Sequence, residues 1–173
     1  MTDLPRRRLG LFAAAAVAVP AIAACSDGEK KPMADHLPTY KSLIEAWKKK
    51  DIDAVLAMVT DDLEWHYLVG LPPLNGKDAA RAFLEKFGGS IAEVRWRVFD
   101  AFQKDNKIVV EGVDEYTTTT GGRVVVPYLG ILEFREGKIA KWRDYCDSAL
   151  AGRLKNGEAV PPHVEKLIER TAI

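Results

Sequence analysis

The stretch "GKIAKWRDYCD", Gly137 to Asp147, opens on a turn and continues as a strand, with Ile139, Trp142 and Tyr145 supplying the bulky side chains that strands favour. Alternation places Ala140, Trp142, Asp144 and Cys146 on one face and Ile139, Lys141, Arg143, Tyr145 and Asp147 on the other. Asp144 therefore shares its face with small and apolar residues, while most of the charges lie opposite. Burying a lone carboxylate is costly unless it is paired or protonated. Asp144 marks either a structural ion pair or the wall of a pocket.

Working back from this stretch, "REGK" is a turn, "RVVVPYLGILEF" a strand, "TGG" a turn, "IVVEGVDEYTTT" a strand and "KDNK" a turn. "IAEVRWRVFDAFQ" reads as one further strand with Ala92, Val94, Trp96 and Val98 on a common side. Upstream, Thr39 can cap a helix through "YKSLIEAWKKK", and a short helix "IDAVLAMV" follows Asp51. "DLEWHYLVG" reads as a strand broken by "LPPLNG", and "KDAARAFLEKFGG" as a helix with Ala80, Phe83 and Phe87 on one face. The order is helix, helix, strand, helix, then four strands. It predicts an α+β fold in which a strongly curved antiparallel sheet wraps around the N-terminal helices and forms a conical apolar pocket.

The N-terminus has a different composition. "RRR" at Arg6–Arg8 precedes the uncharged run "LGLFAAAAVAVPAIAAC", which is short for a membrane-spanning helix and has the three parts of an export signal. Its end, "IAAC", resembles a lipobox, predicting a lipoprotein signal over residues 1–24 and acylation of Cys25; ordinary cleavage after Ala23 is the alternative. "RRRLGLF" leaves twin-arginine and Sec export both open. The expected product is a lipid-anchored protein of the bacterial cell envelope, facing the periplasm or the exterior. Residues 25–36 read as a flexible tether, 37–150 as the folded domain, and 151–173 as a C-terminal extension with a short helix after Pro162.

Composition narrows the function classes. With 47% hydrophobic and 29% charged residues the chain reads as globular, and 25 basic against 25 acidic residues leave no basic stripe for nucleic acid. Loss of residues 1–24 removes three Arg and one Asp, leaving a charge of about −2. With Cys25 acylated, Cys146 has no partner for a disulfide, and it reads as a small buried residue, not an activated thiol. His36, His66 and His163 are too scattered for metal-ligand spacing, and no phosphate loop or nucleophile elbow is present. No cofactor and no metal are expected.

On "IVVEGVDEYT", Val110, Gly112, Asp114 and Tyr116 share a face; on the next strand Val124, Val126, Tyr128, Gly130 and Leu132 do. If these faces and that of Asp144 form one surface, two carboxyls project into an apolar cavity from strands about 10 Å apart. Two such groups tend not to ionise together, so one stays an acid and the other a base. That is the equipment for attacking a small electrophile with water while protonating its leaving oxygen. The candidate pocket wall comprises Phe87, Gly112, Tyr116, Val126, Tyr128, Trp142 and Cys146.

"EGVDEY", "PYLGILEFREGKIAKWRDYCD" and "GLPPLNGKDA" resemble the limonene-1,2-epoxide hydrolase group of the SnoaL-like, nuclear-transport-factor-like superfamily over roughly residues 37–150. The resemblance implies a deep apolar pocket for a small hydrophobic molecule and a homodimer packed through the sheet. It also implies Asp114, in "GVD", as the acid that protonates an epoxide oxygen and Asp144, in "WRD", as the base that activates water. The arginine that bridges the two carboxyls in that group falls at Gly112 here, and its water-holding tyrosine and asparagine fall at His66 and Leu68. His66 is then the candidate to hold the water, the alternative being a surface histidine. The aspartate pair favours epoxide hydrolysis. The missing arginine favours an isomerase or cyclase of the ketosteroid-isomerase or SnoaL kind, or a non-catalytic lipoprotein binding an apolar ligand or partner.

Overall fold

A computed structural model of the chain describes residues 34–173. The expected signal, the Cys25 acylation site and most of the tether lie outside the described residues. The last three tether positions are docked on the domain. Gln103 receives the backbone N–H of His36 and donates to the Ala34 carbonyl, while the His36 ring stacks on Phe134 at 4.2 Å.

Helices α1 (Leu37–Lys48), α2 (Ile52–Ala57) and α3 (Gly76–Gly89) form the helical layer. Helix α1 starts two residues before Thr39, so Thr39 is not its cap. Pro38 at the second helical position has no backbone N–H to leave unsatisfied, and His36 precedes the helix without a side-chain cap. Asp51 does cap α2, accepting from the Ala54 N–H at 2.9 Å. Tyr40, Leu43, Ile44 and Trp47 recur along α1 at helical spacing and are all buried against the sheet.

The strands are β1 (Val59–His66), β2 (Leu74–Asn75), β3 (Ile91–Val94), β4 (Arg97–Lys104), β5 (Lys107–Thr118), β6 (Arg123–Arg135) and β7 (Lys138–Cys146). They form one sheet in the order β2-β1-β7-β6-β5-β3, with β4 also paired to β5. The sheet is strongly curled and the expected α+β cone is present. The strand expected over "IAEVRWRVFDAFQ" is divided. β3 pairs with the last residues of β5 and β4 with its first half, with register shifts in both ladders. Ala92 is consequently exposed, and Ile91 and Val94 carry the buried positions of β3. The other departure is β1, which runs parallel to β7 and sets Trp65 directly opposite Trp142.

After β7 the chain forms α4 (Ser148–Lys155), for which no helix was expected and which runs across residue 150. Asp147 caps it, accepting from the Ala149 and Leu150 N–H groups. Helix α5 (Pro162–Glu165) and a 3₁₀ turn (Lys166–Glu169) then lie along the face of the sheet opposite the helices. There Val164 is buried, Glu165 pairs with Arg123, and Arg170 pairs with Glu111 and lies over the Phe99 ring at 4.6 Å. Val113 and Val125 on that outer face are completely buried. The resemblance implies pairing of two copies through the sheet, and this tail lies on that face.

Val164→Ala removes methyl groups from this outer contact and is expected to lower stability by about 1–2 kcal/mol. Chemical denaturation of wild type and variant measures it, with an unchanged slope indicating that the fold is retained.

Candidate functional site

Inward positions of β5, β6 and β7 converge with α1, α3, α4 and β1 on a cavity of about 340 Å³. Among the residues expected to line it, Asp114, Tyr116, Val126, Tyr128, Trp142, Asp144, Cys146 and Phe87 do so. Asp114 lies opposite Val126 on β6, and Asp144 lies opposite Gly130. Tyr128 occupies the inward position of β6 between those two partners. The accessible surface of each carboxyl faces this cavity, since both residues line it.

The two carboxyls differ in their hydrogen bonding. Asp144 accepts from the Trp142 indole N–H at 2.7 Å through one oxygen and from the Trp65 indole N–H at 3.4 Å through the other. The two indoles stack with centroids 4.8 Å apart, which follows from their opposition in the parallel β1/β7 ladder. Asp114 has no hydrogen-bond partner among the described residues. Burial raises the Asp144 pKa to about 7 against the pull of the two indole donors. Burial likewise raises Asp114 to about 7, opposed only by the Lys155 ammonium. A carboxylate with donors on both oxygens favours the ionised form, whereas a carboxyl without donors favours the protonated one. The donors on Asp144 thus favour its ionised form, and their absence at Asp114 favours the protonated one.

Gly112 does not line this cavity. A Cβ there would collide with the Arg97 carbonyl and would sit 2.7 Å from a ring carbon of Tyr128 and 2.8 Å from its hydroxyl. The Tyr128 ring thus lies over Gly112 and takes the space that an arginine at 112 would need. Its hydroxyl is 3.1 Å from that of Tyr40, and burial raises the pKa of both phenols. Gly112 instead borders a second cavity between the sheet and the C-terminal tail.

His66 also lies outside the cavity lining, and its ring pairs with Glu64 at 3.3 Å. Alternation along β1 turns Trp65 inward and His66 outward, and the next residue, Tyr67, is on the cavity wall with Leu68. Tyr67 thus joins Tyr116 and Tyr128 as a phenol of the cavity wall. Trp65, Tyr67 and Trp96 were not singled out for the site. The alternation of the first two in "EWHYL" carried the signal, but their approach to β7 did not. The Trp96 indole N–H is buried in the cavity wall without an acceptor among the described residues. The Cys146 thiol is pushed up to about 11, chiefly by burial, and is inert at neutral pH. Among the described residues no group of His, Cys, Asp and Glu side chains is arranged to hold a metal ion.

Carboxylates elsewhere are arranged differently. Glu115, on the opposite face of β5, is almost fully buried but meets Arg97, Arg123 and Arg95. Burial pushes its pKa up, and the arginine hydrogen bonds outweigh that and hold it below the usual range. Arg143 likewise faces away from Asp144 and pairs with Glu133 at 2.6 Å.

Residues 40–142 match the SnoaL-like domain family. No curated protein matches the chain. Among solved structures, the chain is similar to an NTF2-like protein of unknown function from Burkholderia pseudomallei. The identity is 26%, with 70% of this chain and 98% of that one covered and a TM-score of 0.63. An LEH-like epoxide hydrolase from M. tuberculosis is 21% identical, with 72% and 91% covered and a TM-score of 0.62. A protein provisionally named a polyketide cyclase, from Xanthomonas campestris pv. campestris, is 20% identical, with 69% and 96% covered and a TM-score of 0.62. At these identities the last two likenesses establish the fold.

Replacing Asp114 with Asn tests the burial of its carboxyl. A carboxyl whose folded pKa is raised carries no stability penalty below its unfolded value near pH 4 and the full penalty above about 7. The Tm advantage of Asp114→Asn over wild type is expected to grow from pH 4 to 7 and then level off. At the plateau it should be worth on the order of 1–2 kcal/mol, given that the carboxyl faces a cavity open to water. Thermal melts across that range measure it; an advantage that shrinks with rising pH would reverse the sign.

Proposed function

We propose that this chain, which belongs to the SnoaL-like domain family, is a cofactor-independent hydrolase of small hydrophobic epoxides. The observation that carries the reading is the unequal hydrogen bonding of two carboxyls raised to about 7 in one apolar cavity. In the forward step, Asp144 takes a proton from water as the water oxygen bonds to an epoxide carbon. The bond from that carbon to the ring oxygen breaks, and Asp114 delivers its proton to the departing oxygen. The product is a vicinal diol, and transfer of the proton from Asp144 back to Asp114 restores the pair. Tyr67, on the same cavity wall, is the candidate to hold the water, in the role first assigned to His66.

A second reading is favoured by the Tyr40–Tyr128 hydroxyl pair. Tyr128 fills the space over Gly112 and lies between the partners of the two aspartates on β6. In an isomerase or cyclase, Asp144 would remove a proton beside a carbonyl, while protonated Asp114 and the Tyr128 hydroxyl stabilise the enolate oxygen. The two readings part at the product. Hydrolysis incorporates one oxygen from labelled water, whereas enolisation exchanges hydrogen with solvent and adds none.

The first experiment is diol formation from a panel of small cyclic and aliphatic epoxides in labelled water. Asp114→Asn and Asp144→Asn should each lower kcat by about 10²-fold or more, since general acid and base contributions are of that order. The kcat/KM profile should be a bell centred near 7, because one carboxyl must be ionised and the other protonated. Loss in Asp144→Asn alone, with solvent hydrogen exchange into a ketone, would replace the hydrolase with the isomerase.

We further propose that Cys25 is acylated after export and that the domain is held at the membrane by that lipid. Cys25→Ser is expected to move the protein from the membrane fraction to the soluble fraction of cells, read by fractionation and immunoblot.

A further inference from the structure

Lys155, the last residue of α4, is the cation that lines the cavity alongside the two aspartates. Its side chain is exposed, which places it at the opening, and its ammonium lies 5.9 Å from the centroid of the Phe87 ring and 6.0 Å from that of Tyr116. Both distances are within the range of a cation–π contact. Among the described residues Lys155 has no carboxylate partner, whereas Arg153 on the same helix pairs with Glu158. The position is also favourable to a cation because it ends a helix, but that alone would not direct the side chain across the rings of the cavity.

The residue one helical turn before Lys155 supplies an independent observation. Gly152 lines the same cavity, and a Cβ built on it would meet nothing within 4 Å. Its φ lies outside the left-handed region, so the backbone does not require glycine there. A glycine inside a helix costs about 1 kcal/mol relative to alanine. No packing contact explains that cost, and the adjoining Ala151 is also small. The helix thus keeps open space beside a cation with no carboxylate partner among the described residues, at the mouth of a cavity walled mainly by aromatic and aliphatic residues.

We propose that Gly152 and Lys155 form the carboxylate end of the substrate site. The ligand is an amphipathic acid whose carboxylate pairs with Lys155 at the opening, while its apolar body passes Gly152 and reaches the Asp114–Asp144 pair. This assignment rests on the reading of the cavity as the substrate site and is independent of which reaction runs there. A bound carboxylate would also offset the pull of Lys155 on Asp114, and so help to keep that group protonated as the acid.

Decanoate and decan-1-ol test the proposal, because they share an apolar body and differ in charge at one end. Trp65, Trp96 and Trp142 line the cavity, so titration at pH 6.5 can be followed by tryptophan fluorescence. Wild type should bind decanoate about tenfold more tightly than decan-1-ol, the order expected of a charge-assisted contact. Lys155→Met should bring decanoate down to the level of the alcohol and leave binding of the alcohol unchanged, and Lys155→Arg should keep the preference. The proposal is overturned if wild type shows no preference, if the preference survives in Lys155→Met, or if neither ligand binds. Preference without diol formation would remove the hydrolase and leave this site standing. Diol formation without preference would do the reverse.

Discussion

The site depends on the parallel pairing of β1 with β7. That register puts Trp65 beside Trp142, and both indole N–H groups then point at the two oxygens of Asp144. Neutral donors orient a carboxylate and partly replace its lost hydration, yet they carry no charge to cancel its own. The group is held in place without being held down, and its pKa settles at about 7. Glu115, on the same sheet and even less exposed, is bound by arginines and kept low. One sheet therefore buries carboxylates in two ways. Ion pairing makes Glu115 a structural fixture, and indole donors leave Asp144 able to exchange a proton near neutrality.

Glycine at position 112 follows from packing. With glycine there, the Tyr128 ring can lie flat against the strand and bring its hydroxyl to Tyr40. The Tyr128 phenol, its pKa raised by burial, stays neutral and can donate a hydrogen bond into the cavity that it lines. Gly112 and Tyr128 act as one packing unit.

Covering both faces of the sheet accounts for its composition. Helices α1 and α3 take the inner face, and residues 160–173 lie along part of the outer one, where Val113 and Val125 are fully buried. Strands buried on both sides read as near-continuous apolar runs, as "RVVV" does at the start of β6. The tail is held by ion pairs at Arg123–Glu165 and Arg170–Glu111, which cross sequence separations of 42 and 59 residues.

Much of this protein was legible in the chain itself. Period-two alternation put Asp144 and Asp114 each on the face of its strand that carries small, apolar and aromatic residues, and helical spacing of Leu43, Ile44 and Trp47 identified the buried stripe of α1. These patterns are local, and the backbone geometry of a strand or helix converts them directly into faces. What alternation cannot supply is which strands meet. The contact of Trp65 with Asp144 spans 79 residues and needs the parallel β1/β7 register. The break at Arg95–Trp96 depends on two segments sharing one partner strand. His66 was a candidate because the resemblance aligns it with a water-holding tyrosine, whereas alternation from the inward Trp65 turns it away from the cavity. Gly112 shares the face of Asp114 by alternation, but Tyr128 from the neighbouring strand fills the space above it and keeps it out of the cavity lining. The sequence by itself determined the apolar face on which each aspartate sits, through local periodicity; only the tertiary structure decided that the two share one cavity, their donors and the cation at the opening, because those are contacts between distant segments.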